Sequence, residues 1–139
     1  MKRKGLMLLL SIILLLSFTV SSFAASQGVD LRRRTIKIGW FGPTSGLLQK
    51  IGQGMVDGMK AFIDRENARG GVGGFKVKLV VYDNNNDPIT TKQVVRKLVR
   101  RDRIFSLVGA LGSKGVNAVI ADLKAYGIPC VYFGGGEYS

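Results

Sequence analysis

Apolar residues along this chain change their spacing several times, and each change marks a predicted element. From Leu6 to Phe18 they form a run broken only by Ser11 and Ser17. From Thr35 they alternate, Ile36, Ile38 and Trp40 against Thr35, Lys37 and Gly39, which is the period of a strand; Gly42-Pro43-Thr44-Ser45-Gly46 stops it. Ile51, Met55, Met59, Phe62 and Ile63 then recur at helical spacing, one apolar face. That helix closes at Asn67-Ala68-Arg69-Gly70-Gly71, where glycine takes the left-handed cap conformation. Phe75 to Tyr82 reads as a second strand, ended by Asp83-Asn84-Asn85-Asn86. Asp87-Pro88 opens a second helix: a capping carboxylate, then a residue whose missing N–H costs nothing in the first turn. Val94, Val95, Leu98 and Val99 supply its buried stripe. Ile104 to Gly109 is a short apolar strand. Gly112-Ser113 starts a third helix, with Val116, Val119, Ile120 and Leu123 inward and Gly127 at its end. Cys130 to Phe133 is a fourth strand, running into Gly134-Gly135-Gly136-Glu137.

Strands and helices that alternate with short connections predict a parallel sheet covered by helices. Right-handed crossovers narrow this to an α/β doubly wound parallel sheet. Ligands of such sheets sit beyond the carboxyl ends of the strands, near the point where strand order reverses. Those ends carry residues 42–46, 83–86, 110–113 and 134–137, all Gly-rich or polar, so a site is expected there.

The amino-terminal pattern is of another kind. Lys2, Arg3 and Lys4 precede the apolar run, and Ser22-Phe23-Ala24 places small residues where a signal peptidase reads them. This is the layout of a secretory signal peptide, residues 1–24, with cleavage expected after Ala24. Read instead as an uncleaved anchor, the run is short of the about 20 residues that a bilayer span needs. No Cys follows it, so a lipid-modified amino terminus is not available. Residues 25–34 form a basic lead-in, and residues 35–139 the α/β part.

Composition then removes whole classes of chemistry. The 139 residues include no His and one Cys, which excludes a Ser–His–Asp or Cys–His catalytic set, a His-ligated zinc site, an internal disulfide and any CxxC motif. The reading is of a non-enzyme without metal or cofactor. The excess of 21 Lys and Arg over 9 Asp and Glu, a net charge of +12, invites a nucleic-acid partner. However, Lys92, Arg96, Lys97, Arg100, Arg101 and Arg103 interleave with the apolar stripe of the second helix and lack an aromatic platform. They read as a solvated face, open to an anionic surface or a partner protein rather than nucleic acid.

Few residues remain as candidates for chemistry. No stretch matches GxxxxGK[ST], and Gly58 follows Gly52-Gln53-Gly54 one residue too late for GxGxxG. Ser113 stands at a helix amino end, where free N–H groups and the helix dipole favour an anion such as a carboxylate; a favoured capping residue is the other account of it. Asp83 and Asp87 flank an Asn-rich turn, and Asp87 already has the capping role. Cys130, in an apolar strand, reads as a buried small hydrophobe.

Several segments taken in order carry a resemblance. Ile36-Lys37-Ile38-Gly39 with Pro43-Thr44-Ser45-Gly46, Glu66-Asn67-Ala68-Arg69-Gly70-Gly71-Val72-Gly73-Gly74, Tyr82-Asp83-Asn84 with Asp87-Pro88, Val108-Gly109-Ala110-Leu111-Gly112-Ser113 and Gly127-Ile128-Pro129 are the segments concerned. Together they resemble the leucine/branched-chain amino acid-binding family of extracytoplasmic solute-binding proteins of ABC transporters, which has the type I periplasmic-binding fold. The resemblance implies an exported receptor that passes a small amino acid, or a related organic acid or amide, to a membrane permease. It assigns ligand contacts to Leu111 and Ser113, with Ser113 holding the ligand carboxylate, and to the loop Gly134, Gly135 and Gly136. It also places Ile51 where some members carry an aromatic residue. Here the loop lacks the hydroxyl often found in relatives, and Ile51 is not aromatic.

Relatives have two lobes that close on the ligand, and this sequence matches the first. A truncated receptor without useful affinity is therefore expected, with an apolar sheet face and a strand edge exposed, because three helices cover four strands unevenly. The alternative is a complete small exported α/β module that docks a partner protein or an anionic surface through its basic helix.

Overall fold

A computed structural model describes residues 27–131. The central strand β2 (Thr35–Gly42) is preceded by a two-residue strand β1 (Val29–Asp30) and followed by α1 (Gln49–Ala68). Then come β3 (Lys76–Asp83), α2 (Pro88–Arg96), β4 (Ser106–Val108), α3 (Ser113–Tyr126) and β5 (Cys130–Val131). β2 pairs in parallel with β3 from Thr35↔Lys76 to Gly42↔Asp83, and on its other edge with β4 at Ile38↔Ser106 and Gly39↔Leu107. β5 extends the sheet in parallel beyond β4. The parallel order β3-β2-β4-β5 makes the chain step one way from β2 and then back past it, so the reversal lies between β2 and β4. This is the α/β doubly wound sheet that the spacing of apolar residues predicts. The lead-in adds one feature: β1 pairs antiparallel with the first residues of β2, Val29↔Ile36 and Asp30↔Thr35. No helix among the described residues is long and apolar enough to cross a membrane.

Helix ends follow the local chemistry of the sequence. Asp87 caps α2 by accepting Thr90 N–H at 2.7 Å, with Pro88 in the first turn. Gly127 ends α3 at φ 63°, in the left-handed region. Beyond α2 the backbone widens into a π turn, Lys97–Arg101, before it descends to Ile104. Strand limits move by a residue or two from expectation. The third parallel strand shortens to Ser106–Val108, and the part of the fourth beyond Val131 lies outside the described residues.

The core lies on one face of the sheet. Val94 and Val95 of α2 and Leu98 and Val99 of the π turn pack with Val116, Val119 and Leu123 of α3 over Phe41, Ile104 and Leu107, all buried. This corrects the strand reading in one respect. Ile36 and Ile38 are only half-buried, whereas Thr35, Gly39 and Phe41, the side taken as more polar, are buried. Among the described residues, two helices cover the Phe41 side and α1 alone covers the other. The α1 stripe is also displaced: Gly52 and Val56 are buried, Met55, Met59 and Ile63 half-buried, and Ile51 and Phe62 exposed. Gly52 is the contact point because any Cβ there would run into the Pro43 carbonyl. Ile120, expected inward, is 41% exposed at the edge of α3. Cys130 is half-buried and not fully enclosed, and burial raises its thiol pKa.

Thin cover on the α1 side leaves an open apolar cavity of about 500 Å³ between α1 and the sheet, lined by Ile38, Met59, Phe62, Ile63, Phe105 and Val108 among others. The expected exposed apolar face is therefore present. The asymmetry has a measurable consequence. Leu98→Ala, in the two-helix core, is expected to cost about 2–5 kcal/mol in urea unfolding, whereas Phe62→Ala on the exposed side should cost no more than about 0.5 kcal/mol. Comparable losses would contradict the one-sided core.

Candidate functional site

Three described loops meet the carboxyl ends of the strands: residues 43–46 after β2, 84–87 after β3 and 109–112 after β4. Asn84 ties the second loop to the helix that follows it. Fully buried, it donates from Nδ2 to Thr91 Oγ1 at 2.8 Å and accepts Asn86 N–H on Oδ1 at 3.0 Å. Its backbone N–H reaches Gly42 O at 3.2 Å, and its carbonyl accepts Asp87 N–H at 2.8 Å. Thr91 completes the circuit by donating to Asp87 O at 2.6 Å. Asn85 and Asn86 both adopt positive φ, 47° and 53°, which Asn tolerates better than most residues. The result is a rigid turn standing against the start of α3.

Asp83 locks the first loop to this turn. Its Oδ1 accepts Thr44 N–H at 3.0 Å and Asn85 N–H at 2.9 Å. Desolvation works to raise the Asp83 carboxyl, but hydrogen bonds from Ser45, Asn85 and Thr44 outweigh it and hold the pKa below the ordinary 3.8. Asp87 is also held low, chiefly by the Thr90 N–H. Both acids are thus committed to loop and cap geometry. Among the described residues, no three His, Cys, Asp or Glu side chains gather where a metal could be held.

The third loop presents the amino end of α3. Gly112 is its N-cap at φ 106°, ψ 110°, and a Cβ there would strike the Asn86 side chain. No side chain caps this helix. Ser113 therefore stands one position inside the helix, exposed, its hydroxyl without a partner among the described residues; it is not the cap of this helix. The first helical bond is Val116 N–H to Gly112 O at 2.9 Å, which leaves the N–H groups up to Gly115 to other acceptors. Beside them, Asn86 Oδ1 is buried without a hydrogen-bond partner. An amino-end dipole, a free hydroxyl and a lone acceptor can together receive a group that is anionic on one side and donates on the other.

Other candidates fall at the same end but not in one pocket. Leu111 is half-buried, its N–H bonded to Phe41 O at 3.0 Å, which fixes the approach to Ser113. Ile51 is 57% exposed in the first turn of α1, whose amino end rests on the Pro43 loop through Gly52. The loop Gly134, Gly135 and Gly136 lies outside the described residues. The sequence reading placed residues 83–86 at the ligand end of the sheet and Asn84 in the segments that carry the resemblance, but it assigned Asn86 no role; the signal was an Asn pair that tolerates positive φ, Asn85-Asn86, directly before a capping Asp. Among the described residues, the three loops line one side of the strand ends.

Residues 35–139 match the family described as periplasmic binding protein. Among solved structures, the chain is 25% identical to the branched-chain amino acid transporter substrate-binding protein of Streptococcus pneumoniae in complex with isoleucine. That match has a TM-score of 0.67 and covers 73% of this chain and 34% of the other. It is 29% identical to a periplasmic binding protein type 1 from Bordetella pertussis, with a TM-score of 0.64 and coverage of 69% and 26%. A solute-binding protein of an ABC transporter from R. palustris, in complex with benzoate, shares the fold at 23% identity and TM-score 0.63, over 70% and 27% of the two chains. The chain thus spans about a third or less of the length of these structures. No curated protein matches it.

The Asp83 clasp sets a pH dependence. A carboxylate whose pKa is lower in the folded state stabilises fully above its unfolded pKa, and that contribution disappears as pH falls through the folded value. Asp83→Asn should therefore lower the urea midpoint at pH 7, and the gap to the parent chain should narrow toward pH 3, below the ordinary 3.8; a gap independent of pH would remove the charge from the account. The strand order, the loops gathered at the strand ends and the match over residues 35–139 agree: this chain belongs to the periplasmic binding protein family.

Proposed function

We propose that the chain forms one wall of the solute site of an extracytoplasmic ABC-transporter receptor, and that the solute is a small amino acid or a related organic acid or amide. The observation that carries this reading is the uncapped amino end of α3: Ser113, exposed and uncommitted, beside the N–H groups up to Gly115. In this role the N–H groups and the Ser113 hydroxyl receive the solute carboxylate, Leu111 borders it and Ile51 stands at the amino end of α1; Gly134, Gly135 and Gly136 are proposed as further contacts. The isoleucine and benzoate in the two complexes are both carboxylates on an apolar body, which supports the same solute class here.

Export follows from the signal peptide proposed for residues 1–24, and transfer of the solute requires a membrane permease. The chain covers about a third or less of the relatives it matches, and one wall leaves a bound solute exposed to water. The 139 residues by themselves are therefore proposed to bind weakly, and a facing wall supplies the remaining affinity.

An NMR titration of the chain with isoleucine and with benzoate tests this. Saturation near millimolar concentration, about −4 kcal/mol, is expected, with the largest amide shifts at Gly112, Ser113 and Lys114. Ser113→Ala should weaken binding about fivefold, the worth of one hydrogen bond of about 1 kcal/mol. Shifts centred elsewhere would refute the site, and micromolar affinity would refute the single wall.

A further inference from the structure

The end of the sheet opposite Ser113 carries a second site of different chemistry. A cavity of about 430 Å³ opens between the β1–β2 turn and the amino ends of β2 and β3. Arg32, Arg33, Lys37, Lys78 and Arg103 line it, against one acid, Asp30. Asp30 is already committed. Its Oδ1 accepts Arg32 and Arg33 N–H at 3.0 and 2.9 Å, which folds the turn and turns the arginines outward. The Arg33 guanidinium approaches Asp30 only to 4.0 Å, and its side chain is 81% exposed. Lys37 bonds the neutral Asp102 carbonyl at 3.1 Å, so its charge is undiminished.

Backbone strain singles out one of these cations. Arg103 holds φ 54°, a region that Gly or Asn enters more easily. Its side chain is exposed and makes no ion pair among the described residues, so packing does not account for an arginine there. Arg34, also at positive φ, differs: its guanidinium lies over the Phe75 ring at 5.6 Å.

Charge and one apolar side chain favour a lipid surface over a free anion. Five cations face the cavity against one committed acid, and Leu31 lines the same cavity and is 54% exposed, an apolar side chain among cations, as on surfaces that enter a headgroup layer.

We propose that this amino-end face docks on an anionic phospholipid bilayer, with Arg32, Arg33, Lys37, Lys78 and Arg103 receiving headgroup phosphates and Leu31 entering the interface. The site is independent of the solute wall, which points away from the bilayer when this face is down.

Sedimentation of the full chain with vesicles tests it, using phosphatidylcholine alone or with one-third phosphatidylglycerol. The readout is the ratio of the two partition coefficients, in which the contribution of the apolar run cancels. The ratio should exceed tenfold at low salt and fall as salt rises. Reversal of Arg32, Arg33 and Arg103 to Glu should bring it close to one. The same charge change at Lys50, Lys92 and Lys114, at the other end, should leave most of it. Arg103→Asn should lower the ratio about fivefold, the weight of one cation at a lipid surface, while the melting temperature holds or rises because the backbone strain is relieved. Equal loss in the two triple variants would mean that net charge alone drives binding, and would overturn the site. A ratio of one for the parent chain would overturn the lipid assignment and turn attention to acidic proteins.

Discussion

β2 supplies backbone partners to three strands: β3 along the whole of one edge, and β1 and then β4 along the other. A strand hydrogen-bonded in this way on both edges must be covered on both faces, and its carboxyl-terminal half is: Trp40 and Phe41 are both fully buried, pointing to opposite sides. Trp40 also spends its indole N–H on Gly109 O, at 2.5 Å, which carries the order of β2 directly into the loop that leads to Ser113. On the other edge, Asn84 N–H reaches Gly42 O. The three loops at the carboxyl ends of the strands are thus indexed to the last residues of one strand.

The opposite half of β2 is less constrained, because α1 covers it alone. Two helices on the Phe41 side share a core from Val94 to Leu123. On the α1 side, Ile36 and Ile38 line a cavity instead. The sheet is therefore fastened hard at the carboxyl ends of its strands and on the face of α2 and α3, and loosely along α1.

Local rules made much of this legible in the sequence. The Asp87-Pro88 start, the Gly127 stop and the α2 stripe follow from capping and helical spacing, which neighbouring residues decide. The position of Ser113 at a helix start beyond a strand end was legible because strand-to-helix connections in a parallel sheet fall at one end of it. What the spacing did not show was decided at long range. Alternation in β2 marked Ile36 and Ile38 as the inner face, yet which face is better buried depends on how many helices land on each, a matter of crossover direction. Ile51 looked like the start of the α1 stripe, but close approach to Pro43 selects Gly52 as the contact point, and a stripe of large residues hides a glycine. The lead-in read as polar coil, and two residues, Val29–Asp30, are too few to show a period.

Charge is the other quantity that a linear reading could count but not place. The three described helices point their amino ends toward the carboxyl ends of the strands, so their carboxyl ends gather at the opposite face, where basic residues complement the helix dipole. That accounts for Arg65 in α1, Arg100 and Arg101 in the π turn and Lys124 in α3. Two of these also lie against aromatic rings, Arg100 over Tyr126 and Arg101 over Tyr82. Arg32, Arg33 and Arg103 belong to no helix end. They stand on a turn and a descending loop, and one of them is held at a φ that costs the backbone. A dipole argument cannot explain them, nor can solubility, which any exposed polar residue would serve. The sequence divided the basic excess between the second helix and the lead-in; the fold brings Arg32 and Arg33 of the lead-in together with Arg103 around a cavity at one end of the sheet, where a partner with several negative charges can meet all of them at once.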